Sequence, residues 1–301
     1  MSGDVEIDVL VPTKDRPVEL ATTLAGLAAQ TGPGTPRFRV IVSDQSEGPA
    51  SADTPSATTL VRALRHRGTA VELERHLPRR GMAEQRAFLL SRASAPAVLF
   101  LDDDVWLEPG VLARLHRARR ELGCGLVAAA MQGLSHLDDR RPDECATFAP
   151  WEGPVEPETI AKEDAAWQRW RLHNAANGMH LAQDAGLDAP GAPVPPPERR
   201  LAYRIAWAAG CVLFDRAALV EAGGFDFWRE VPADAHGEDV LSQQRVMARR
   251  GAAGILPSGA YHQQSATALP RRGDSAVDLL SVTGPRPDPA APAPPRAPAG
   301  R

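Results

Sequence analysis

The stretch Ala97-Val98-Leu99-Phe100-Leu101-Asp102-Asp103-Asp104 decides how this chain is read. Four of the five residues from Ala97 to Leu101 are bulky and apolar, which suits a strand buried on both faces of a parallel sheet. Three carboxylates follow at once. Adjacent anions repel one another, so the cluster needs a cation, water or both, and open α/β sheets bind ligands at the carboxyl ends of their strands. On an extended backbone Asp102 and Asp104 leave on the same side. Hard oxygen ligands placed that way suit Mg²⁺ or Mn²⁺ carrying a phosphorylated substrate. The competing reading is a solvated acidic turn that caps the following helix, and the flanking chain has to decide.

Upstream, the pattern alternates. Ile7 to Val11 reads as a buried strand ending in Pro12-Thr13-Lys14-Asp15-Arg16-Pro17, with Pro17 placed for the first turn of a helix. Leu20, Leu24 and Leu27 give that helix its apolar stripe. Phe38 to Ser43 is a second strand and also ends in a carboxylate, Asp44. A helix near Ala57–Arg67, a short strand near Val71–Leu73 and a helix over Gly81–Arg92 lead into the opening stretch, the last with Ala83, Ala87 and Leu90 on one face. Such β-α-β-α-β-α-β order predicts a single Rossmann-like, doubly wound, mostly parallel sheet with helices on both faces. Its binding edge would carry Asp15 and Arg16, Asp44, and the Asp102–Asp104 cluster. No G-x-G-x-x-G follows the first strand and no G-x-x-x-x-G-K-[ST] occurs, which argues against a dinucleotide-binding domain and a P-loop enzyme.

Composition narrows the classes. At 301 residues with 43% hydrophobic content, the chain can hold one large α/β domain with an insertion. A net charge of −4 gives no general attraction for nucleic acid, so no nucleic-acid partner is expected. The three cysteines, Cys124, Cys145 and Cys211, are odd in number and widely spaced, which favours a reducing compartment. The start MSGDVEIDVL is unlike a signal peptide, and the longest apolar run, Ile205–Phe214, is too short to span a bilayer. A soluble, cytoplasmic protein without a transmembrane segment is expected.

Downstream, Glu108-Pro109-Gly110 opens a helix to about Leu122, and Gly125–Met131 reads as a strand. From Gln132 to Tyr203 the pattern loosens. This is read as a helical insertion covering the active-site edge and facing the acceptor, with Pro157–Leu181 helical. Trp167 and Trp170 in it could stack on an acceptor, though ordinary packing explains them better. His173, His180 and the His136/Asp138/Asp139 group read as surface or core residues. Ile205–Phe214 is a buried strand, Arg216–Ala222 a short helix stopped by Gly223-Gly224, and Glu238–Arg250 a helix opened by His236-Gly237-Glu238-Asp239. Acidic residues there favour a helix start for dipole reasons alone. The domain is expected to span 1–269, with 270–301 a disordered Pro/Ala-rich tail.

Taken in order, five segments resemble the nucleotide-sugar glycosyltransferases of the GT-A fold, specifically glycosyltransferase family 2. They are VLVPTKDRPVEL (9–20), VIVSDQSEG (40–48), FLDDDVWLEPG (100–110), AGCVLFDRAALVEAGGFD (209–226) and HGEDVLSQQRVMARRG (236–251). The last two also resemble the carboxyl-terminal segment of galactosyltransferase-type enzymes. The resemblance implies a metal-dependent, inverting transfer of a sugar from a nucleoside-diphosphate donor, UDP-linked in most relatives, to a hydroxyl acceptor. It places Pro12, Thr13, Asp15 and Arg16 on the nucleotide and Asp44 on the nucleobase. Asp102 would lie by the ribose, and Asp104, with Asp102, would hold Mn²⁺ or Mg²⁺ to the diphosphate. Asp103 would support the donor side, and His262 would sit near the metal. Gly210, Gly223, Gly224, Phe225 and Asp226, with nearby Trp228, would floor the acceptor pocket. Asp239 would be the catalytic base and Glu238 its acceptor-binding neighbour.

The chemistry is coherent with that assignment. Two departing phosphates call for a divalent ion, and an attacking hydroxyl calls for a carboxylate to take its proton. Two departures from the family pattern stand out: Val240-Leu241 replaces a further acidic residue found in many relatives, and the loop 227–237 is longer than the minimal one. The acceptor, whether glycan, lipid-linked or small molecule, is not legible, and a lipid-linked one would require peripheral docking at the inner membrane face. A non-catalytic relative that binds a nucleotide sugar or glycan is the rival from another class. A nucleotidyltransferase is the rival enzyme, but it usually wants a glycine-rich basic loop where this chain has Pro12-Thr13-Lys14-Asp15.

Overall fold

The computed structural model describes residues 4–32, 34–189, 191, 195–266 and 273–282. Strands β1 (Ile7–Thr13), β2 (Phe38–Asp44), β3 (Val71–Arg75) and β4 (Ala97–Leu101) run parallel in the order β3-β2-β1-β4. Helices α1 (Pro17–Ala28), α2 (Pro55–His66) and α3 (Met82–Arg92) link them. Every position of β1 is buried, because the strand lies between β2 and β4 beneath helices on both faces. One of those positions is Asp8. Arg39 meets its carboxylate at 2.8 and 2.9 Å, and the amides of Ser94 and Ala95 donate to it, the satisfaction a buried charge requires. In α1, Pro17 opens the helix where a missing N–H costs nothing, and Leu20, Leu24 and Leu27 are fully buried.

After β4 the chain turns back through β5 (Val105–Leu107), and α4 (Val111–Leu122) leads to β6 (Leu126–Ala128) and β7 (Gln132–Gly133). Within 132–203 lie α5 (Pro142–Cys145), α6 (Asn177–Asp184) and β8 (Leu201–Tyr203). Then come β9 (Cys211–Asp215), α7 (Arg216–Glu221), α8 (Glu238–Arg250), β10 (Ala252–Leu256), β11 (Ala260–His262) and α9 (Ala276–Leu279). The main sheet continues β4-β9-β6-β10-β8, with β9 antiparallel to both of its neighbours and β8 antiparallel to β10. A small second sheet, β5-β11-β7, sits beside it. Helices α1, α2 and α4 pack on one face of the main sheet, and α3, α7 and α8 on the other. This is the expected mostly parallel α/β architecture. No helix among the described residues is long and apolar enough to cross a membrane.

Four expectations change. The strand expected over Ile205–Phe214 begins only at Cys211. Before it, Gly210 takes φ +78°, and the backbone of Ala206 and Ala208 is bound by the side-chain amides of Gln244 and Gln243 rather than by a strand neighbour. Pro157–Leu181 is not one helix. The chain is irregular through Ile160, a 3-10 helix covers Ala165–His173, and Ala175 at φ +49° separates it from α6.

The described part of the insertion adds β8 to the β10 edge. Ile160, Leu172, Ala182 and Tyr203 are buried in the core on the α8 face, and Trp170 stacks on Trp207 at 5.9 Å between centroids. Finally, residues 273–282, placed by the sequence in a disordered tail, are folded. Ala276 is fully buried and α9 packs against α8, because Ala276, Val277, Leu280 and Val282 supply apolar contacts to the core. The rest of that tail, 270–272 and 283–301, lies outside the described residues.

Candidate active site

The carboxyl ends of β1 and β4 open onto a cleft of about 380 Å³. Its shape depends on where β4 stops. Leu101 is the last strand residue; Asp102 N–H donates to Gly210 O at 2.9 Å, and Val105 N–H reaches back to Asp102 O at 3.3 Å. Asp103 and Asp104 therefore sit in a turn, not on an extended strand. This corrects the expected grouping: the turn separates Asp102 from Asp104 and brings Asp103 to Asp104's side.

Arg16 joins those two. Its Nη1 donates to Asp103 Oδ1 at 2.9 Å and to Asp104 Oδ2 at 2.7 Å, while Thr13 Oγ1 donates to Asp103 Oδ2 at 2.6 Å. Burial pushes Asp103 up to about 6, although Thr13 and Arg16 pull the other way. Burial also works against Asp104, but the hydrogen bond from His262 and the charge of Arg16 outweigh it and hold Asp104 below the usual carboxylate range. His262 Nε2 lies 3.2 Å from Asp104 Oδ2, and that contact raises the imidazole's pKa. The pairing of β11 with β5 sets His262 opposite Val105 and so delivers it next to Asp104. Arg16 is held by burial below and by Asp103 and Asp104 above its ordinary value, with the carboxylates prevailing.

A second group faces this one. Arg86 of α3 is buried; its Nη2 donates to Asp102 Oδ1 at 3.1 Å and its Nε to Glu238 Oε1 at 3.0 Å. Burial disfavours the guanidinium charge, but Asp102, Glu238 and Asp239 together raise the pKa well above the ordinary value. Gly237 at φ +73° turns the chain into α8, so Glu238 and Asp239 occupy the helix's first turn, where free N–H groups favour anions. For Asp239, burial and then the neighbouring charges of Glu238 and Asp102 push the carboxyl up to about 7, against the pull of Arg86. Asp239 lines a small recess with Asp102, Gly210, Phe225 and Gln243, next to the main cleft, and Arg86 and Asp102 border both.

Other expected residues are more scattered. Pro12 and Thr13 line the main cleft. Asp15 sits at φ +55° on the rim, its amide donating to Ser46 Oγ and its carboxylate paired with Lys14 at 2.7 Å. Asp44 is buried, its carboxylate accepting the amides of Ser46 and Ser51 at 2.8 and 2.6 Å. It borders a separate cavity of about 330 Å³ at the ends of β2 and β3, with Leu73 and Arg75. Gly223, Gly224, Asp226 and Trp228 line neither the cleft nor the recess. Gly224 O accepts Ser242 Oγ, while Arg229 covers Trp228 and lies 3.8 Å from the exposed Asp226. No described residue of 132–203 is among those lining the cleft.

Arg86 escaped the sequence reading. Its signal was present: it falls between Ala83 and Leu90 on the apolar face of α3, and a cation on such a face has to meet a buried anion. Gln85, whose Nε2 donates to Ser43 O at 2.7 Å and so ties α3 to β2, was missed for the same reason.

Among the described residues, no cluster of three or more His, Cys, Asp or Glu could hold a metal by itself. Asp104 and His262 supply a carboxylate oxygen and an imidazole nitrogen 3.2 Å apart. A two-donor set of this kind fits a divalent ion that takes its remaining positions from phosphate oxygens and water.

Comparison with known proteins bears on the family and the fold. The model of the family described as "Glycosyl transferase family 2" matches residues 8–143, a little under half of the chain. The succinoglycan biosynthesis protein ExoM of Rhizobium meliloti (strain 1021) is 36% identical over 123 residues, covering 41% of this chain and 38% of its own length. Among solved structures, S. aureus TarS 1-349 in complex with UDP-GlcNAc superposes with a TM-score of 0.53 at 16% identity, covering 88% of this chain and 60% of that one. The mannosyltransferase PcManGT from Pyrobaculum calidifontis, in complex with GDP-Man and Mn²⁺, gives 0.52 at 16% identity, covering 88% and 58%. The chain thus spans less than two thirds of the length of each of these relatives. These likenesses relate it to glycosyltransferase family 2 and show a GT-A fold.

Proposed function

We propose that this protein transfers a sugar from a nucleoside-diphosphate donor, UDP-linked, to a hydroxyl acceptor by a single inverting displacement. The observation that carries the reading is the pairing of two unlike carboxylate groups, one in the cleft and one in the recess that adjoins it. Asp104 is kept ionised by His262 and Arg16, while Asp239 is pushed up to about 7. The first suits cation and diphosphate binding. The second suits proton removal, because a base works best with a pKa near the working pH.

The donor's diphosphate lies against Thr13, Arg16 and the Asp103–Asp104 turn, its nucleobase toward Asp44, and its ribose by Asp102. Asp104 and His262 would hold a divalent cation, Mn²⁺ or Mg²⁺, which when bound would supply positive charge to the departing diphosphate. Asp239 accepts the proton of the attacking hydroxyl, and Glu238, fixed by Arg86, orients that hydroxyl. Gly210 and Phe225 form the recess floor. The match to the family over residues 8–143 and the nucleotide-sugar complexes of TarS and PcManGT support this reading.

The test is hydrolysis or transfer from UDP-glucose, UDP-GlcNAc and GDP-mannose with Mn²⁺. Asp239→Asn is expected to lower kcat by about 10²–10⁴-fold with the donor KM within about twofold. Equal rates in mutant and wild type would remove Asp239 from the base role. Arg16 pairs with both Asp103 and Asp104, and this contact favours a second reading, a binding protein that retains a nucleotide sugar without turning it over. Donor binding with no hydrolysis or transfer in the wild type would select it.

A further inference from the structure

We propose that Gly273–Val282 is a positioning strap for the loop that presents Asp239, with His236 as its point of attachment. The strap lies alongside residues 234–236. Gly273 N–H donates to Asp234 O at 2.9 Å, His236 N–H to Asp274 O at 3.1 Å, and Ala276 N–H to His236 O at 2.7 Å. The His236 ring closes the same contact, with Nδ1 2.9 Å from Gly273 O. Beyond the crossing the strap is anchored to the body of the fold. Ala276 is fully buried, Arg245 Nη2 donates to Ser281 O at 3.2 Å, and Lys162 pairs with Asp278.

The opposite flank of the loop is fixed as well. Gly81, at φ +105° just before α3, lies so close that a Cβ there would stand 2.5 Å from Ala233 O. Residues 233–237 are therefore held between the start of α3, which carries Arg86, and the strap. The loop needs that support, since no regular element covers Glu230–Gly237. Gly237 follows directly and turns the chain into α8, so a shift of the loop is a shift of Glu238 and Asp239. Misplacing a reacting group by about 1 Å costs on the order of 10²-fold.

This inference rests on Asp239 being the base, and its test has a readout independent of that role. Three full-length variants are compared. His236→Ala removes the ring contact, and His236→Asn restores a side-chain N–H donor. Ala276→Pro removes the N–H given to His236 O, at a first helical position where the proline backbone is tolerated. Hydrogen exchange is expected to quicken about tenfold or more at amides 235–241 in His236→Ala and Ala276→Pro, with β1 and β4 unchanged and His236→Asn near wild type. Donor hydrolysis in the same two variants is expected to lose kcat about 10-fold or more, with KM within twofold. Unchanged exchange at 235–241, or a uniform rise throughout the sheet, overturns the strap. So does a rise in KM alone. If the wild type hydrolyses no donor, the proposed activity fails, and the exchange result still decides the strap.

Discussion

The two ends of the cleft solve the same problem differently. At the donor end, Asp103 and Asp104 face Arg16 and His262, and the anion closest to the histidine, Asp104, stays below its ordinary pKa. At the base end, Asp102, Glu238 and Asp239 share one cation, Arg86. Asp239 makes no ion pair of its own among the described residues, and burial first, then the negative charge that three anions around one guanidinium leave unbalanced, raises its pKa. Asp104, paired with two cations, holds its charge, whereas Asp239, buried without an ion pair of its own, titrates nearer to neutral pH. Transfer of a sugar to a hydroxyl needs one of each.

The largest test of this contrast removes the shared cation. Arg86→Met leaves the buried Glu238 and the half-buried Asp102 without this partner, and denaturant unfolding is expected to show a loss of about 3–5 kcal/mol, most of it from Glu238. Adding Glu238→Gln should cost less than the sum of the single changes, because the two side chains interact directly. Strict additivity would deny the coupling.

At the donor end the effect is smaller and depends on ligand. With Mn²⁺ and UDP at a hundredfold excess over Kd, the wild type should gain about 2.7 kcal/mol. Asp104→Asn should lose most of that gain relative to its own unliganded melt, which the loss of its pairs with Arg16 and His262 also lowers. A thermal melt with and without the pair reads it, and an undiminished shift would move the cation site away from Asp104 and His262.

The smallest effect is on pH dependence. Glu238→Gln removes a negative neighbour, so Asp239 ionises more easily and the acid limb of kcat/KM, near 7 in the wild type, should move to lower pH. Stability follows the same sign. Asp239 titrates higher in the folded state, at about 7, than unfolded, at about 3.9. Its contribution is therefore fully present below about 4 and lost as pH rises through about 7. Glu238→Gln should flatten that decline in pH-resolved melts.

What was legible in the sequence is what local spacing encodes. Pro17, Leu20, Leu24 and Leu27 specify α1, and Ala97–Leu101 reads as β4 to the residue. Gly237, Glu238 and the terminal Gly251 bound α8. The carboxylates at strand ends were visible too, since charge after an apolar run is a local signal. Missed features are those whose partner is distant. Arg86 makes sense only beside Glu238, 152 positions later. Asp103 changes sides because Asp102 bonds to Gly210, and the direction of β9 depends on which gap in the sheet it fills. Residues 132–203 defeated the reading because Leu172 and Ile160 are buried by irregular and 3-10 backbone, for which no simple period exists.

The placement of β9 also constrains how the molecule can be made. Its antiparallel strand lies between β4 and β6, so during synthesis both edges wait, unpaired, until residue 215 has emerged. Exposed strand edges invite pairing with other chains, and domains in general fold as units. The segment 8–143 that carries the family likeness is therefore not a portable module. Expressed alone, it would present a split sheet with a strand-wide slot, and supplying residues 201–282 in trans should be what closes it.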